Sequence, residues 1–210
     1  MNPTFGPTRE VLVRLGAKRA DLIVEQGQFY RLISSWWLHG GILHWVVNML
    51  ALINLGFSLE KEFGTPKIMI IFCSCGFMGA LCSAVFLPNV VGVGASGAIF
   101  GLFGSCFADL IQNWGLYKSR GNARTTLCQL VFGAVLNFLL GLIPMLDQFA
   151  HLAGFCTGVS RKLSLQNRAR MLLTIENQWD LYYCYRRGTR DLEKKSSSRG
   201  AKECYKCVAW

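Results

Sequence analysis

Ser96 stands in the run Gly94-Ala95-Ser96-Gly97, and His151 in Phe149-Ala150-His151-Leu152-Ala153-Gly154. A serine hydroxyl becomes a useful nucleophile when a base within hydrogen-bond reach takes its proton. A neutral imidazole near pH 7 is the usual acceptor. Gly154 and Gly158 follow His151 by three and seven residues, which puts all three on one helical face. Beyond Ser96 come Gly97, Gly101 and Gly104. Two such small-residue faces let helices approach closely, and would bring base to nucleophile. His44 and Asn48, in the spacing His39-x4-His44-x3-Asn48, share a helix face and offer side-chain donors. Unpaired N–H groups at a helix start, with the positive end of its dipole, suit a developing oxyanion. Together these residues could perform acyl transfer through a serine.

Each feature also has a plainer reading. A G-x-S-G run serves helix packing, a histidine can be hydrogen-bonded between helices, and His44 with Asn48 can form an interfacial polar cap. Position separates the readings. Ser96 opens a helix directly after a loop, and all three histidines of the chain fall at expected outer span ends. Ionisable residues in membrane spans are costly and are functional candidates by default.

The elements that must hold these residues are readable from charge. Only 16% of the 210 residues are charged and 52% are apolar, whereas a soluble domain is about a quarter charged. No Asp, Glu, Lys or Arg occurs from Leu32 to Leu59, from Ile68 to Ala108, or from Thr125 to Leu146. A helix needs about 20 mainly apolar residues to cross a bilayer. The middle run holds two, broken around Pro88, Asn89 and Gly92, where Pro and Gly favour a turn. The spans must be helical, because hydrocarbon offers the backbone no partners and the runs lack the alternation of a barrel strand. They are expected near Gly41–Leu59, Lys67–Leu87, Ser96–Asn113 and Thr126–Ile143, with a short fifth segment at Gln148–Ser160.

The loops set an orientation. Glu60–Lys67 carries Lys61 and Lys67, Asn113–Arg124 carries Lys118, Arg120 and Arg124, and the tail after Ser160 is basic. The connections Leu87–Ala95 and Pro144–Ala150 carry no Lys or Arg. Basic connections mark the cytoplasmic side, so Ser96 and His151 share the opposite level of the membrane. The basic segment before the first span (Arg9, Arg14, Lys18, Arg19, Arg31) conflicts with this alternation, and a missing upstream helix would resolve it. Three regions are expected: an outer loop or surface segment over 1–40, a transmembrane core over 41–160, and a basic cytosolic tail over 161–210, partly disordered. Thr8–Arg19 mixes charge with isolated aliphatics, unlike a secretory signal, and reads as a loop or surface helix. The net charge of +10 is read as membrane-facing; with no recognition fold beside it, nucleic acid is not an expected partner. Six of the nine cysteines lie in apolar runs, where free Cys behaves as a small hydrophobe. Cys204 and Cys207 form a single CxxC with no second pair nearby, so no metal is expected.

Phe29-Tyr30-Arg31-Leu32-Ile33-Ser34, then His39-x4-His44-x3-Asn48, then GASG, then a late His-x2-Gly-x3-Gly resembles, in order and spacing, the signature of the rhomboid family of intramembrane serine proteases. The likeness covers roughly Gln28–Gly158. It implies that Ser96 is the nucleophile and His151 its base, without a catalytic aspartate. It implies an oxyanion hole of His44, Asn48 and the Ser96 backbone N–H. Gly94, Gly97 and Gly101 match the serine-helix glycines, and Gly154 and Gly158 the packing positions under the histidine. Arg31 matches the arginine of a structured loop in the outer leaflet, although Tyr30 stands where Trp is common. Glu60 matches an acidic residue near the cytoplasmic helix end, and Phe100 takes the place of a stacking Tyr.

The expectation is therefore an all-α, polytopic transmembrane bundle of the rhomboid type with about five membrane segments. The six-helix core of the family would lack its first helix, because Met1 falls inside the counterpart of the Arg-bearing loop, and its last helix would be short. The implied function is hydrolysis of single-pass transmembrane protein substrates near the outer membrane face, in the lipid bilayer and without a cofactor. A secretory-pathway membrane (Golgi, endosomal or plasma) is the expected location. The alternative is a truncated or inactive relative that binds membrane clients without cleaving them. A channel is disfavoured because no acidic residue lies mid-span.

Overall fold

The computed structural model describes residues 5–121, 124–128, 130, 131, 133, 147–165 and 167. One compact unit is Met1–Leu163 and the other Ser164–Trp210; in the second, residues 164, 165 and 167 are described and are helical. No strand occurs among the described residues. The expected all-α class is borne out, while most of the span expected at Thr126–Ile143 lies outside the described residues.

In the first unit the outer segment is a chain of short helices: α1 (Arg9–Leu15), α2 (Ala20–Val24) and α3 (Arg31–Ser34), with a 3-10 turn at Ser35–Trp37. Arg31 ties them together. It is 4% exposed, and its Nη1 donates to the carbonyls of Val13 at 2.7 Å and Ala17 at 2.9 Å. The Val13 carbonyl lies in the last turn of α1, where it also accepts from Gly16 N, and the Ala17 carbonyl follows the helix, so one guanidinium ties the end of α1 to the turn after it. Ser34 Oγ adds a bond to the Gly16 carbonyl at 2.7 Å. Phe29, Tyr30, Ile33 and Trp37 remain exposed on this segment, an apolar face that suits the edge of a bilayer.

Two long helices follow, α4 (Ile42–Phe63) and α5 (Thr65–Phe86), each long and apolar enough to cross a membrane. Gly64 joins them with φ of 80°, and Thr65 Oγ1 donates to Glu60 Oε1 at 2.6 Å across the turn. Glu60 thus closes the hairpin at the end where the resemblance implied an acidic residue. Ile42, Leu43, Trp45, Leu50, Ile53 and Phe57 of α4 are exposed. A bare apolar face of this size is costly in water and cost-free against lipid. The helix α6 (Ser96–Gln112) packs against both α4 and α5, and α7 (Trp114–Ser119) follows it.

Residues 148–163 are helical, so the last element runs past Ser160, where its apolar run ends. The charge that was expected to stop it is neutralised instead. Lys162 Nζ lies 2.8 Å from Asp109 Oδ1 of α6, both side chains 7% exposed, and 3.3 Å from the centroid of the Phe63 ring.

Candidate active site

The loop that leads into Ser96 is tied to the outer segment by backbone bonds. Gly94 N donates to Ser35 O at 2.9 Å, and Lys18 and Gly92 exchange backbone bonds of 2.9 and 3.0 Å. Gly94 has φ of 117°, a left-handed conformation that costs a side-chain-bearing residue strain. Space matters there as well. A Cβ at Gly94 would stand 3.1 Å from His44 Nε2 and 3.8 Å from Ser96 Oγ. The missing side chain keeps open the gap between that ring and that hydroxyl. Ser96 is then the first residue of α6, with first-turn N–H groups free to point at an incoming oxygen.

His151 comes from the last helix. Its Nε2 lies 2.8 Å from Ser96 Oγ, within the range for a proton transfer. The ring is 6% exposed and stacks on Phe100 with centroids 4.2 Å apart and planes at 9°. Phe100 thus supplies the stacking surface that the resemblance implied, without a hydroxyl. His151 Nδ1 has no partner among the described residues; if Nε2 accepts the Ser96 proton, Nδ1 carries the ring hydrogen.

The approach of the two helices is steric. A Cβ on Gly154 would overlap the carbonyl oxygen of Gly97, and one on Gly158 that of Gly101. Gly101 is equally confined by Cys75 of α5. Ser105 Oγ bonds both Gly101 O at 3.0 Å and Gly158 O at 3.1 Å, one turn further in. All the glycines singled out from the sequence therefore lie at this seam or at the loop beside Ser96.

His44 sits across the loop. Its Nδ1 accepts from Gly40 N at 3.3 Å, which leaves the hydrogen of a neutral ring on Nε2. That Nε2 is buried, has no partner among the described residues, and borders the gap beside Ser96. Asn48, 5% exposed, spends one Nδ2 hydrogen on the His44 carbonyl at 2.8 Å and keeps the other. His39 contacts His44 edge-on at 5.4 Å. A hydroxyl bonded to an imidazole, with an orphaned imidazole N–H opposite, can move a proton and receive negative charge on an oxygen. A cavity of about 30 Å³ lined by Ser96, Gly94, Ala150, Ser83, Lys18 and Asp147 adjoins the serine, room for a water or two. No cluster of metal-binding side chains occurs among the described residues.

Of the residues named from sequence, Ser96, His151, Phe100, Gly94, Gly97, Gly101, Gly154 and Gly158 meet at this site, with His44 and Asn48 on its other wall. Arg31 and Glu60 act at a distance, in the outer segment and the α4–α5 turn. Three residues at the site were missed: Lys18, Ser83 and Asp147. Asp147 had a signal, since an aspartate at the start of a helical segment is a preferred cap. Lys18 had none; only the fold carries it to Ser96.

The family model described as the Rhomboid domain matches residues 26–167. The chain is 41% identical over 157 residues to RHOMBOID-like protein 6, mitochondrial, of Arabidopsis thaliana, covering 75% of this chain and 50% of the relative. It is 41% identical over the same length to RHOMBOID-like protein 2 of that plant, at 75% and 49% coverage. It is also 33% identical over 154 residues to Inactive RHOMBOID-like protein 8 of that species, at 73% and 43%. The chain spans about half the length of the curated relatives it matches first. With a matched domain over most of the helical unit, and the family's glycine, serine and histidine pattern within it, the chain belongs to the rhomboid family.

Proposed function

We propose that this chain is an intramembrane serine endopeptidase that cleaves single-pass transmembrane proteins near the outer membrane face. The observation that carries the reading is the 2.8 Å contact between His151 Nε2 and Ser96 Oγ. Ser96 Oγ attacks the substrate carbonyl carbon while His151 Nε2 takes the hydroxyl proton. The carbonyl oxygen becomes an oxyanion, held by the Ser96 backbone N–H, His44 Nε2–H and Asn48 Nδ2–H. Collapse expels the amine, which takes the proton from His151, and leaves an acyl-serine. Water from the adjoining cavity then attacks the ester with His151 again as base, and collapse breaks the acyl–Oγ bond, returns the proton from His151 to Ser96 and releases the acid. Phe100 holds the imidazole plane, so its rotation away from Ser96 is restricted. The proposed location is a secretory-pathway membrane, with the basic residues after Ser160 on the cytosolic side.

A second reading, a client-binding protein that does not cleave, is favoured by relatives whose names call them inactive. One is the plant protein above, and another, Inactive rhomboid protein 1 of Danio rerio, is 41% identical over 132 residues. Comparison of the chain with Ser96→Ala in liposomes separates the two. The reporter is a transmembrane helix with small, helix-destabilising residues near its outer end, and the products are read by mass. Cleavage by the parent and none by Ser96→Ala supports the protease. An intact reporter that co-purifies equally with both folded forms supports the binder and overturns the protease.

A further inference from the structure

Lys18 is 1% exposed, an unusual place for an ammonium group. Its backbone bonds to Gly92 hold the loop that leads into Ser96. Its Nζ donates to the carbonyls of Ser83 at 3.2 Å and Leu87 at 3.0 Å, at the end of α5. The same Nζ lies 3.9 Å from Asp147 Oδ2. Asp147 begins the helix that carries His151. Its Oδ1 accepts from Ala150 N at 3.0 Å, its carbonyl accepts from His151 N at 3.2 Å, and its Oδ2 accepts from Ser83 Oγ. One residue of the outer segment therefore joins the nucleophile loop, the end of α5 and the first turn of the base's helix.

A stability role does not account for this arrangement. Buried ion pairs rarely repay the desolvation of their charges, and apolar replacements of similar volume often match them. An uncharged cap on the last helix would also do without Lys18. What the pair supplies is directional: fixed donors and acceptors in one small space, so that neither the loop nor the helix can slide without breaking several bonds. A shift of about 1 Å at a reacting pair can cost on the order of a hundredfold in rate.

We propose that Lys18 is a positioning residue, which with Ser83 and Asp147 fixes the register between the loop of Ser96 and the helix of His151. The inference rests on the Ser96–His151 reading. Lys18 touches neither substrate nor the reacting atoms and acts through Asp147 and Gly92. The conservative change Lys18→Arg keeps the cation and retains most of the rate. Lys18→Met keeps the length of the stem and loses the charge and the three side-chain ties.

The test uses the full chain in liposomes and a fluorophosphonate probe, whose labelling rate reports the reactivity of Ser96 without a substrate. Thermal melting is read on the same samples. Lys18→Met leaves the Asp147 carboxylate without its cation and is expected to melt below the parent. Assayed well below its own midpoint, it is expected to label about tenfold more slowly and to lower kcat on the reporter with KM unchanged, while Lys18→Arg labels near the parent rate. A parent rate in a folded Lys18→Met, with labelling absent from Ser96→Ala, overturns the positioning role and leaves the protease reading standing. No labelling of the folded parent overturns both. Should Lys18→Met fail to fold, Asp147→Asn decides: it keeps a cap oxygen and removes the charge partner. Slow labelling well below the variant's own melting midpoint supports the proposal, and a parent rate overturns it.

Discussion

Two imidazoles border Ser96, and their hydrogen-bond partners give them opposite parts. His151 presents Nε2 to the hydroxyl at 2.8 Å, so it can accept a proton; His44 accepts at Nδ1 from Gly40, so its Nε2 can only donate. His44→Ala is accordingly expected to lower kcat by about a hundredfold with little change in KM, as measured on the transmembrane reporter. An equal rise in KM with kcat kept would show that His44 binds the ground state instead. Lys18 gives a separate prediction at the same scale. Burial pushes its ammonium below the usual lysine value, against the upward pull of Asp147. The unfolded chain keeps that proton up to about 10.5, and the folded chain releases it earlier. Between the two the unfolded state binds more protons, so stability rises with pH. Melting curves taken as pH is raised towards 10.5 should show this rise in the parent and not in Lys18→Met.

Between helices the contact is made by backbone, and this explains why glycine spacing was the most legible part of the site. Gly154 and Gly158 face the carbonyls of Gly97 and Gly101, so each added carbon must push a whole helix. Gly154→Val is expected to destabilise by about 1 to 3 kcal/mol and to abolish cleavage, because the His151 ring moves with the helix. Gly115 in α7 has nothing within 4 Å of its Cβ position. Gly115→Ala should leave cleavage intact and raise stability by up to about 1 kcal/mol from helix propensity. Loss of cleavage in both variants would refute a seam-specific cause. The stacking of Phe100 was implied by the resemblance alone, in which it takes the place of a stacking Tyr. The length of the last helix was not: its apolar run ends at Val159, and the helix continues past it with Lys162 paired to Asp109.

Across the whole unit, buried charge pairs bracket the last helix. Lys18 and Asp147 stand at the end near Ser96, Asp109 and Lys162 at the other. Asp109 also accepts from Asn113 Nδ2 and Tyr117 Oη, both at 2.9 Å, so both carboxylate oxygens are partnered and Lys162 supplies the balancing charge. Lys162→Met leaves that carboxylate buried without its cation and is expected to cost about 3 to 5 kcal/mol. Adding Asp109→Asn should return most of the loss, which a double-mutant cycle on thermal or denaturant unfolding measures. Additive losses would show that the two groups do not act as a pair.

What the sequence alone determined was the helical class, and it set the expectations of level and chemistry type. Long charge-free runs admit only helices in hydrocarbon, loop charge gives Ser96 and His151 one expected membrane level, and glycines at helical spacing mark faces that can touch. These signals are local, and they persist however the helices are arranged. The tertiary structure alone decided which atoms meet. Ser96 and His151 are 55 residues apart, and their 2.8 Å contact depends on the crossing of two helices. Lys18 reaches the carbonyl of Leu87 from 69 residues away by the folding of the outer segment over the serine loop. A lysine in a charged amphipathic stretch reads as a solvated residue, because its own neighbours would leave it in water. Its burial comes from groups distant in the chain that offer it two carbonyls and a carboxylate, and no local pattern encodes such an encounter.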